Sequence, residues 1–121
     1  MKSEDVFQLF RETKALLSGH FELRSGLHSD QYFQCALVCQ WPRVAQQLCE
    51  ALAAKWAARG ASIDTVIAPA MGGLVIGQEL ARSLDKRYIF AEKVNNVLEL
   101  RRFAITPGER FLVAEDVMTC R

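Results

Sequence analysis

The stretch Arg110-Phe-Leu-Val-Ala-Glu-Asp-Val-Met-Thr-Cys-Arg121 decides how the rest of the sequence is interpreted. Its apolar run 111–114 is short, and the turn-forming residues Thr106-Pro-Gly-Glu109 precede it. This pattern predicts a buried parallel strand rather than a surface helix. Glu115 and Asp116 would then lie at the carboxyl end of the strand, which is where open α/β sheets bind ligands. Two solvated carboxylates at a strand-to-helix turn are the alternative interpretation.

Two more parallel strands are predicted upstream, at about 64–68 and 88–91, with a helix at 74–84 between them. This βαβ alternation predicts an α/β fold with a parallel sheet and right-handed crossovers. The sequence before the first of these strands predicts an amphipathic helix at about 4–18 that ends at Gly19, a hairpin at 21–37, and a helix from Trp41-Pro42 to Gly60. Four-residue spacing places Val44, Leu48, Leu52 and Trp56 on one face of that last helix.

Residues 97–105 alternate between apolar and polar, but the alternation changes phase at Arg101-Arg102. A single continuous strand cannot keep one buried face across such a slip. The segment is therefore interpreted as a hairpin flap or a mobile loop.

Composition limits the classes of protein to consider. The 121 residues are 50% hydrophobic and 24% charged with a net charge of +1, which is typical of one soluble domain. No apolar stretch predicts a membrane span or a signal peptide, so a cytoplasmic protein is expected. The near-neutral charge argues against nucleic-acid binding.

The four cysteines show no C-x-x-C spacing, and His20 and His28 complete no zinc pattern. Reduced, structural thiols are therefore predicted. Cys49 falls on the apolar side of the helix after Trp41, where a free cysteine behaves as a small hydrophobic residue.

The sequence Ala70-Met-Gly-Gly73 follows the first parallel strand and precedes a helix. Free amide hydrogens and the helix dipole both favour an anion at such a position. A tight strand-to-helix turn with no ligand is the alternative.

Three of these motifs resemble one family, in the family's order. The run ending in Glu115-Asp116-Val-Met-Thr119 resembles the phosphoribosyl-pyrophosphate motif of phosphoribosyltransferases. The stretch Gly19-His-Phe-Glu-Leu-Arg-Ser-Gly-Leu-His-Ser-Asp-Gln-Tyr-Phe-Gln34 resembles the N-terminal hairpin of orotate phosphoribosyltransferases, and the Ala-Met-Gly-Gly loop fits the same family. The resemblance extends from about residue 6 to Thr119.

The resemblance implies the type I phosphoribosyltransferase fold, a parallel sheet flanked by helices with an N-terminal helix-and-hairpin hood. We expect one domain over 1–121, with the hood in 1–40 and a partial parallel core in 41–121. Cys120-Arg121 stands where a glycine-rich phosphate loop normally begins, so we expect a chain truncated inside the motif.

The resemblance also implies roles for particular residues. Glu115, Asp116 and Lys93 would be catalytic. The orotate-binding residues would be Arg24, Tyr32, Phe33 and Thr119. Phosphoribosyl pyrophosphate would be bound by Met71, Gly72, Gly73, Lys93, Arg101, Arg102, Glu115, Asp116, Val117, Met118, Thr119, Cys120 and Arg121. The Ala70-Met71 peptide resembles one that is often cis in the family.

Two of these assignments have structural alternatives. Tyr32 and Phe33 would otherwise be strand residues that pack on the core, and Arg101-Arg102 would otherwise be a solvated basic pair. Family members generally have a glycine after the arginine pair, whereas Phe103 follows it directly here.

The implied activity joins orotate to phosphoribosyl pyrophosphate, giving orotidine 5′-monophosphate and pyrophosphate in pyrimidine biosynthesis. Mg²⁺ would be carried by the substrate with no direct protein ligand, and a homodimer would exchange a loop at the site. Two alternatives remain: a non-catalytic regulator that binds phosphoribosyl pyrophosphate on the same fold, and an inactive fragment.

Overall fold

The computed structural model describes residues 1–23 and 26–118. Its helices and strands follow in the order α1 Ser3–Glu12, β1 Leu16–Glu22, β2 His28–Phe33, α2 Cys35–Cys39, α3 Pro42–Ala57, β3 Thr65–Pro69, α4 Leu74–Leu84, β4 Arg87–Val94, β5 Val97–Glu99 and β6 Phe111–Val113. None of the helices formed by these residues is both long and apolar enough to cross a membrane.

The central sheet has the strand order β5-β4-β3-β6. Strand β3 pairs in parallel with β4 on one side and with β6 on the other, so that Thr65 is level with Arg87 and Phe111. The three predicted parallel strands and the helix between the first two are therefore confirmed. All three strands direct their carboxyl ends toward the same edge of the sheet, which is where the predicted site residues follow them in sequence.

The core lies between the central sheet and the helices α3 and α4. Its buried residues are Ala53, Ile63, Val66, Ala68, Leu80, Ala81 and Ala114, with Trp56, Ile76, Leu84, Tyr88 and Leu112 packed against them. Cys49 is 1% exposed, as predicted. The buried face of α3 is rotated by one residue relative to the predicted face that contains Leu52. Ala45, Cys49 and Ala53 are buried, whereas Leu52 is 46% exposed.

The first helix is shorter than predicted. It ends at Glu12, and Lys14 adopts a positive φ of 59° that reverses the chain. Leu16 and Leu17 then begin β1 and pair with Phe33 and Tyr32. The helical spacing of Leu17 was coincidental, because cross-strand pairing decides the conformation from residue 16 onward.

The predicted hairpin forms, but its second strand ends earlier than expected. Strand β2 ends at Phe33, and the residues predicted to continue it form the short helix α2. Val38 of α2 is completely buried, and the amide of Gln34 donates to the carbonyl of Ala15. A short apolar run fits a helix as well as a strand, which explains the wrong assignment.

Strand β4 extends past its predicted end and pairs antiparallel with β5, so only the first part of the segment 97–105 belongs to a hairpin. The turn between them is Asn95-Asn96, with φ of 52° and 64°, and Lys93 is paired with Leu98. After β5 the chain returns along β4, where Arg102 donates to Glu92 and the Phe103 ring meets the Phe90 ring at 5.1 Å. The change of phase at Arg101-Arg102 therefore marks the end of strand pairing.

Glu109 joins the amino-terminal ends of β3 and β4 to the turn before β6. Its side chain is 8% exposed and accepts hydrogen bonds from the Thr65 hydroxyl, from Arg87 at 3.1 Å and from the Thr106 amide at 3.1 Å. The hydrogen bond from Thr65, followed by that from Thr106, lowers the pKa of Glu109 below its usual 4.5. The folded protein therefore favours the charged carboxylate.

We expect Glu109→Gln to lower thermal stability at neutral pH and to lose less stability on acidification. A carboxyl group whose pKa is lower in the folded state stabilises the protein above its unfolded pKa, and this contribution disappears as pH falls through the folded value. Melting temperatures from about pH 7 to pH 3 measure the effect. Glu99→Gln, at an exposed position, is the control. A difference in melting temperature between Glu109→Gln and the unaltered protein that stays constant across that pH range would contradict this role.

Candidate active site

A cleft of about 480 Å³ opens at the carboxyl edge of the central sheet. Its walls come from the end of the hairpin, the loop after β3, the end of β4, one residue of β5 and the turn after β6. The lining residues are Tyr32, Phe33, Gln34, Cys35, Pro69, Ala70, Met71, Gly72, Lys93, Leu98, Glu115, Asp116 and Val117. The cleft thus brings together motifs that are far apart in sequence.

Hydrogen bonds from backbone amides fix the acidic turn after β6. The Ala114 amide donates to the Ile67 carbonyl at 2.9 Å, which extends the β3–β6 pairing up to Glu115. The Asp116 amide then donates to Oε1 of Glu115 at 3.0 Å, and the Val117 amide donates to Oδ1 of Asp116 at 2.9 Å. Each carboxylate therefore has one oxygen fixed by a backbone amide.

Glu115 lies close enough to Asp116 for the neighbouring carboxylate to affect its protonation. Burial, and then a hydrogen bond with Asp116, raises the pKa of Glu115 above its usual value, whereas the charge of Lys93 works in the opposite direction. A ligand that brings positive charge or hydroxyl donors to this turn would stabilise the charged form of Glu115.

The loop after β3 packs directly on the acidic turn. A Cβ atom at Gly72 would lie 2.9 Å from Oδ1 of Asp116, and one at Gly73 would lie 3.0 Å from the Pro69 carbonyl oxygen. Neither glycine can be replaced by a larger residue without moving its neighbours. The glycine pair is thus required for the close approach of loop and carboxylate.

The same loop offers free backbone donors. The Ala70-Met71 peptide is cis, as the resemblance implied. The Gly73 amide donates to the Pro69 carbonyl, whereas no acceptor within residues 1–23 and 26–118 takes the amide hydrogens of Met71 and Gly72. These two amides lie just before the N-terminus of α4, where the helix dipole adds to their attraction for an anion.

Tyr32 and Phe33 both border the cleft but have different neighbours. The Phe33 ring lies 5.8 Å from the Phe7 ring and 5.4 Å from the Phe10 ring of α1. Tyr32 contacts the Phe21 ring at 5.6 Å, and Tyr32 and Phe33 are both 37% exposed. Phe33 therefore joins the hairpin to α1, whereas the ring contact of Tyr32 stays within the hairpin, which makes Tyr32 the aromatic residue better placed for a ligand.

Most of the predicted site residues that the structure describes do line the cleft. Tyr32, Phe33, Met71, Gly72, Lys93, Glu115, Asp116 and Val117 are among its walls, whereas Gly73, Arg101, Arg102 and Met118 are not. Arg102 is paired with Glu92 instead, and Met118 is 91% exposed. Arg24, Thr119, Cys120 and Arg121 lie outside the described residues.

Sequence reasoning missed Gln34, Cys35, Pro69, Ala70 and Leu98 as cleft residues. Gln34 and Ala70 lie within recognised motifs, Cys35 and Pro69 flank them, and Leu98 pairs with Lys93 across the β4–β5 hairpin, so proximity in sequence or register was the available signal. The Cys35 thiol lies 3.6 Å from the Asp116 carbonyl oxygen and donates to it. Burial, and then the charge of Asp116, raises the pKa of Cys35 to about 11, so this group stays a thiol.

Known proteins provide an independent comparison. No protein-family profile matches the chain. An orotate phosphoribosyltransferase of Pelotomaculum thermopropionicum is 52% identical over 120 residues, and one of Desulforamulus reducens is 49% identical over 120 residues. Each alignment covers 98% of this chain and 62% of the relative, so the chain spans about three fifths of the length of these relatives.

The fold has solved counterparts. The crystal structure of an orotate phosphoribosyltransferase from Francisella tularensis superposes with a TM-score of 0.71 over 94% of this chain and 57% of that chain, at 22% identity. At such low identity this similarity concerns the fold alone.

The three parallel strands, the acidic turn after β6 and the glycine loop after β3 form the fold of the type I phosphoribosyltransferases. Over 98% of its length, the chain is similar in sequence to orotate phosphoribosyltransferases.

Proposed function

We propose that this chain contributes the active-site cleft of an orotate phosphoribosyltransferase, a pentosyltransferase of pyrimidine biosynthesis. The reaction would join orotate to phosphoribosyl pyrophosphate and release pyrophosphate. The observation that carries this proposal is the cleft itself, because it unites the hairpin aromatic residues, the free loop amides, Lys93 and the acidic pair. The names of the aligned relatives support the same activity.

The charges in the cleft suit phosphoribosyl pyrophosphate. Departure of pyrophosphate leaves a positive, oxocarbenium-like ribose, so carboxylates are useful near the sugar and cations near the leaving group. Glu115 and Asp116 would accept hydrogen bonds from the ribose hydroxyls. Lys93 and the amides of Met71 and Gly72 would hold the diphosphate.

Orotate is a flat ring with a carboxylate, and Tyr32 offers it an aromatic face at the hairpin side of the cleft. Arg24 belongs to the same hairpin in sequence, and its guanidinium would pair with the orotate carboxylate. Binding both reactants in one cleft could supply roughly 7–11 kcal/mol of the barrier in the best cases through orientation alone.

Mg²⁺ would accompany phosphoribosyl pyrophosphate and would neutralise charge on the leaving group. Magnesium usually keeps several waters and takes only one or two protein carboxylates beside substrate oxygens. The ion would be carried by the substrate without a direct protein ligand, and Glu115 and Asp116, each with a second oxygen free of its amide bond, would bind the ribose hydroxyls instead.

A cytoplasmic homodimer is part of the proposal. Arg101 is exposed and does not line the cleft of its own chain, which would suit a residue that reaches the site of a partner subunit. Sedimentation equilibrium and the initial rate, both measured on Arg101→Ala beside the unaltered protein, separate the effect on assembly from the effect on activity.

Calorimetric titration tests the proposed binding. Phosphoribosyl pyrophosphate with Mg²⁺ should bind at one site per chain, and excess pyrophosphate should displace it. Heat of binding that pyrophosphate does not reduce would place the ligand elsewhere and contradict the assignment of the loop amides.

We expect Tyr32→Ala and Phe33→Ala to separate ligand binding from stability. Tyr32→Ala should weaken orotate binding several-fold, because a lost aromatic contact is worth roughly 0.5–1.5 kcal/mol. Phe33→Ala should lower the free energy of unfolding by about 1–3 kcal/mol, since two such contacts with α1 disappear. Orotate titrations and denaturant unfolding of both variants measure the two effects.

Tyr32→Phe is the matched control, because it keeps the ring and should retain most of the orotate affinity. Equal losses of stability in Tyr32→Ala and Phe33→Ala, with orotate binding unchanged in both, would show that neither aromatic residue contacts the ligand.

A further inference from the structure

The two histidines of the sequence face each other on the hairpin. Nδ1 of His28 lies 2.7 Å from Nε2 of His20, and the ring centroids are 4.8 Å apart. Both side chains are exposed. The pairing of β1 with β2 is irregular between Ser18 and Phe21, so His20 lies in a bulged part of β1. This places two nitrogen donors side by side on a surface to which the proposed reaction assigns no role.

The separation of the two nitrogens is close to what one metal ion requires. Imidazole nitrogens bind transition metals at about 2.0–2.1 Å, so two of them at a right angle are about 2.9 Å apart. To bind one metal ion, the two nitrogen atoms therefore need to move apart by only a few tenths of an ångström. Both rings must also rotate, so that the two nitrogen lone pairs point at the metal position. Exposed histidines on a hairpin can make such a turn without disturbing the core.

We propose that His20 and His28 form a two-histidine site for an exchangeable divalent transition-metal ion, with water molecules completing its coordination. Within the described ranges, no three His, Cys, Asp or Glu side chains converge on a metal position. The site should therefore bind a metal ion with moderate affinity. The general order of affinity of protein ligands for divalent metal ions favours Cu²⁺ over Ni²⁺ and Zn²⁺.

The proton balance of the site is simple. In the neutral pair, one of the two facing nitrogens carries a hydrogen and the other accepts it. On metal binding that hydrogen moves through solvent to the outer nitrogen of the same ring, so both facing nitrogens become donors to the metal and no net proton is released. Glu22, the cross-strand partner of His28, adds negative charge beside the pair and so favours a cation.

The same hairpin carries Tyr32, which contacts Phe21 next to His20 in sequence. A metal ion that joins β1 to β2 would therefore stiffen the strand pair on which Tyr32 lies. The site itself does not depend on the proposed reaction, and its test uses metal binding alone.

Ni²⁺ titrated into the untagged full-length protein at neutral pH tests the proposal. Competing binding by the thiols of Cys35 and Cys49 is weak, because burial raises the pKa of Cys35 to about 11 and that of Cys49 to about 12. His20→Gln and His28→Gln should each weaken binding at least tenfold. Gln31→Ala, an exposed change on β2, should keep the affinity within twofold. Unchanged affinity in both histidine variants would overturn the proposal.

Paramagnetic broadening of the amide NMR signals of the unaltered protein tests the proposal without any variant. At substoichiometric Ni²⁺, amide signals of residues 20–22 and 28–30 should broaden first. Broadening that begins in another part of the chain would show that the hairpin histidines only hydrogen-bond to each other.

Discussion

Asparagine in place of Asp116 should lower the turnover of orotate by the full-length protein at least tenfold, which corresponds to about 1.4 kcal/mol of transition-state stabilisation. The expected loss is electrostatic. Oδ1 of Asp116 accepts the Val117 amide at 2.9 Å, and the amide oxygen of asparagine can accept the same hydrogen bond. The substitution therefore keeps the turn but removes the negative charge beside the proposed position of the ribose.

The measurement is the initial rate with both substrates and Mg²⁺ at saturation, with Asp30→Asn as control because that carboxylate is exposed on the hairpin. Thermal unfolding of both variants should match that of the unaltered protein. An unchanged rate in Asp116→Asn would remove the acidic pair from the mechanism.

Alanine in place of Gly77 should lower the free energy of unfolding by about 1–3 kcal/mol. A Cβ atom there would lie 2.5 Å from Cε1 of Tyr88 and 2.8 Å from the Ala68 Cβ. The Tyr88 ring cannot simply move away, since its hydroxyl donates to the Leu74 carbonyl at 2.8 Å. In an isolated helix the same change would be stabilising by about 1 kcal/mol. The sign of the change in unfolding free energy therefore distinguishes the packing effect from helix propensity.

Denaturant unfolding measures the effect, and Gln78→Ala provides the control because Gln78 is exposed in the same helix. A Gly77→Ala protein as stable as the unaltered one would show that α4 can move away from β3 and β4 at little cost.

The sequence predicted the central sheet well because its strands are short apolar runs bounded by turn residues. Strands β3, β4 and β6 and helix α4 all form near their predicted positions. The hood was predicted less accurately. Leu17 fits a helix by spacing and yet pairs with Tyr32 in a strand, and Val38 fits a strand and yet is buried in α2. In both cases tertiary contacts decide between two local conformations that the pattern allows equally.

The sequence predicted the acidic pair and the glycine loop from short motifs and Lys93 from the family resemblance, and residues of all three line the cleft. It could not show which amides are free. The Gly73 amide is used within the loop, while those of Met71 and Gly72 have no acceptor in the described part of the chain. It also could not foresee that Phe33 packs on α1 or that Arg102 pairs with Glu92, since these contacts join segments that sequence spacing does not relate.

The most direct test of the proposed function is the conversion of orotate by the full-length protein. With phosphoribosyl pyrophosphate and Mg²⁺ present, we expect orotate to disappear and orotidine 5′-monophosphate and pyrophosphate to appear in equal amounts. Omission of either phosphoribosyl pyrophosphate or Mg²⁺ should abolish the reaction. A folded full-length protein that leaves orotate unchanged under these conditions, while converting another base, would contradict the assignment of this cleft to orotate.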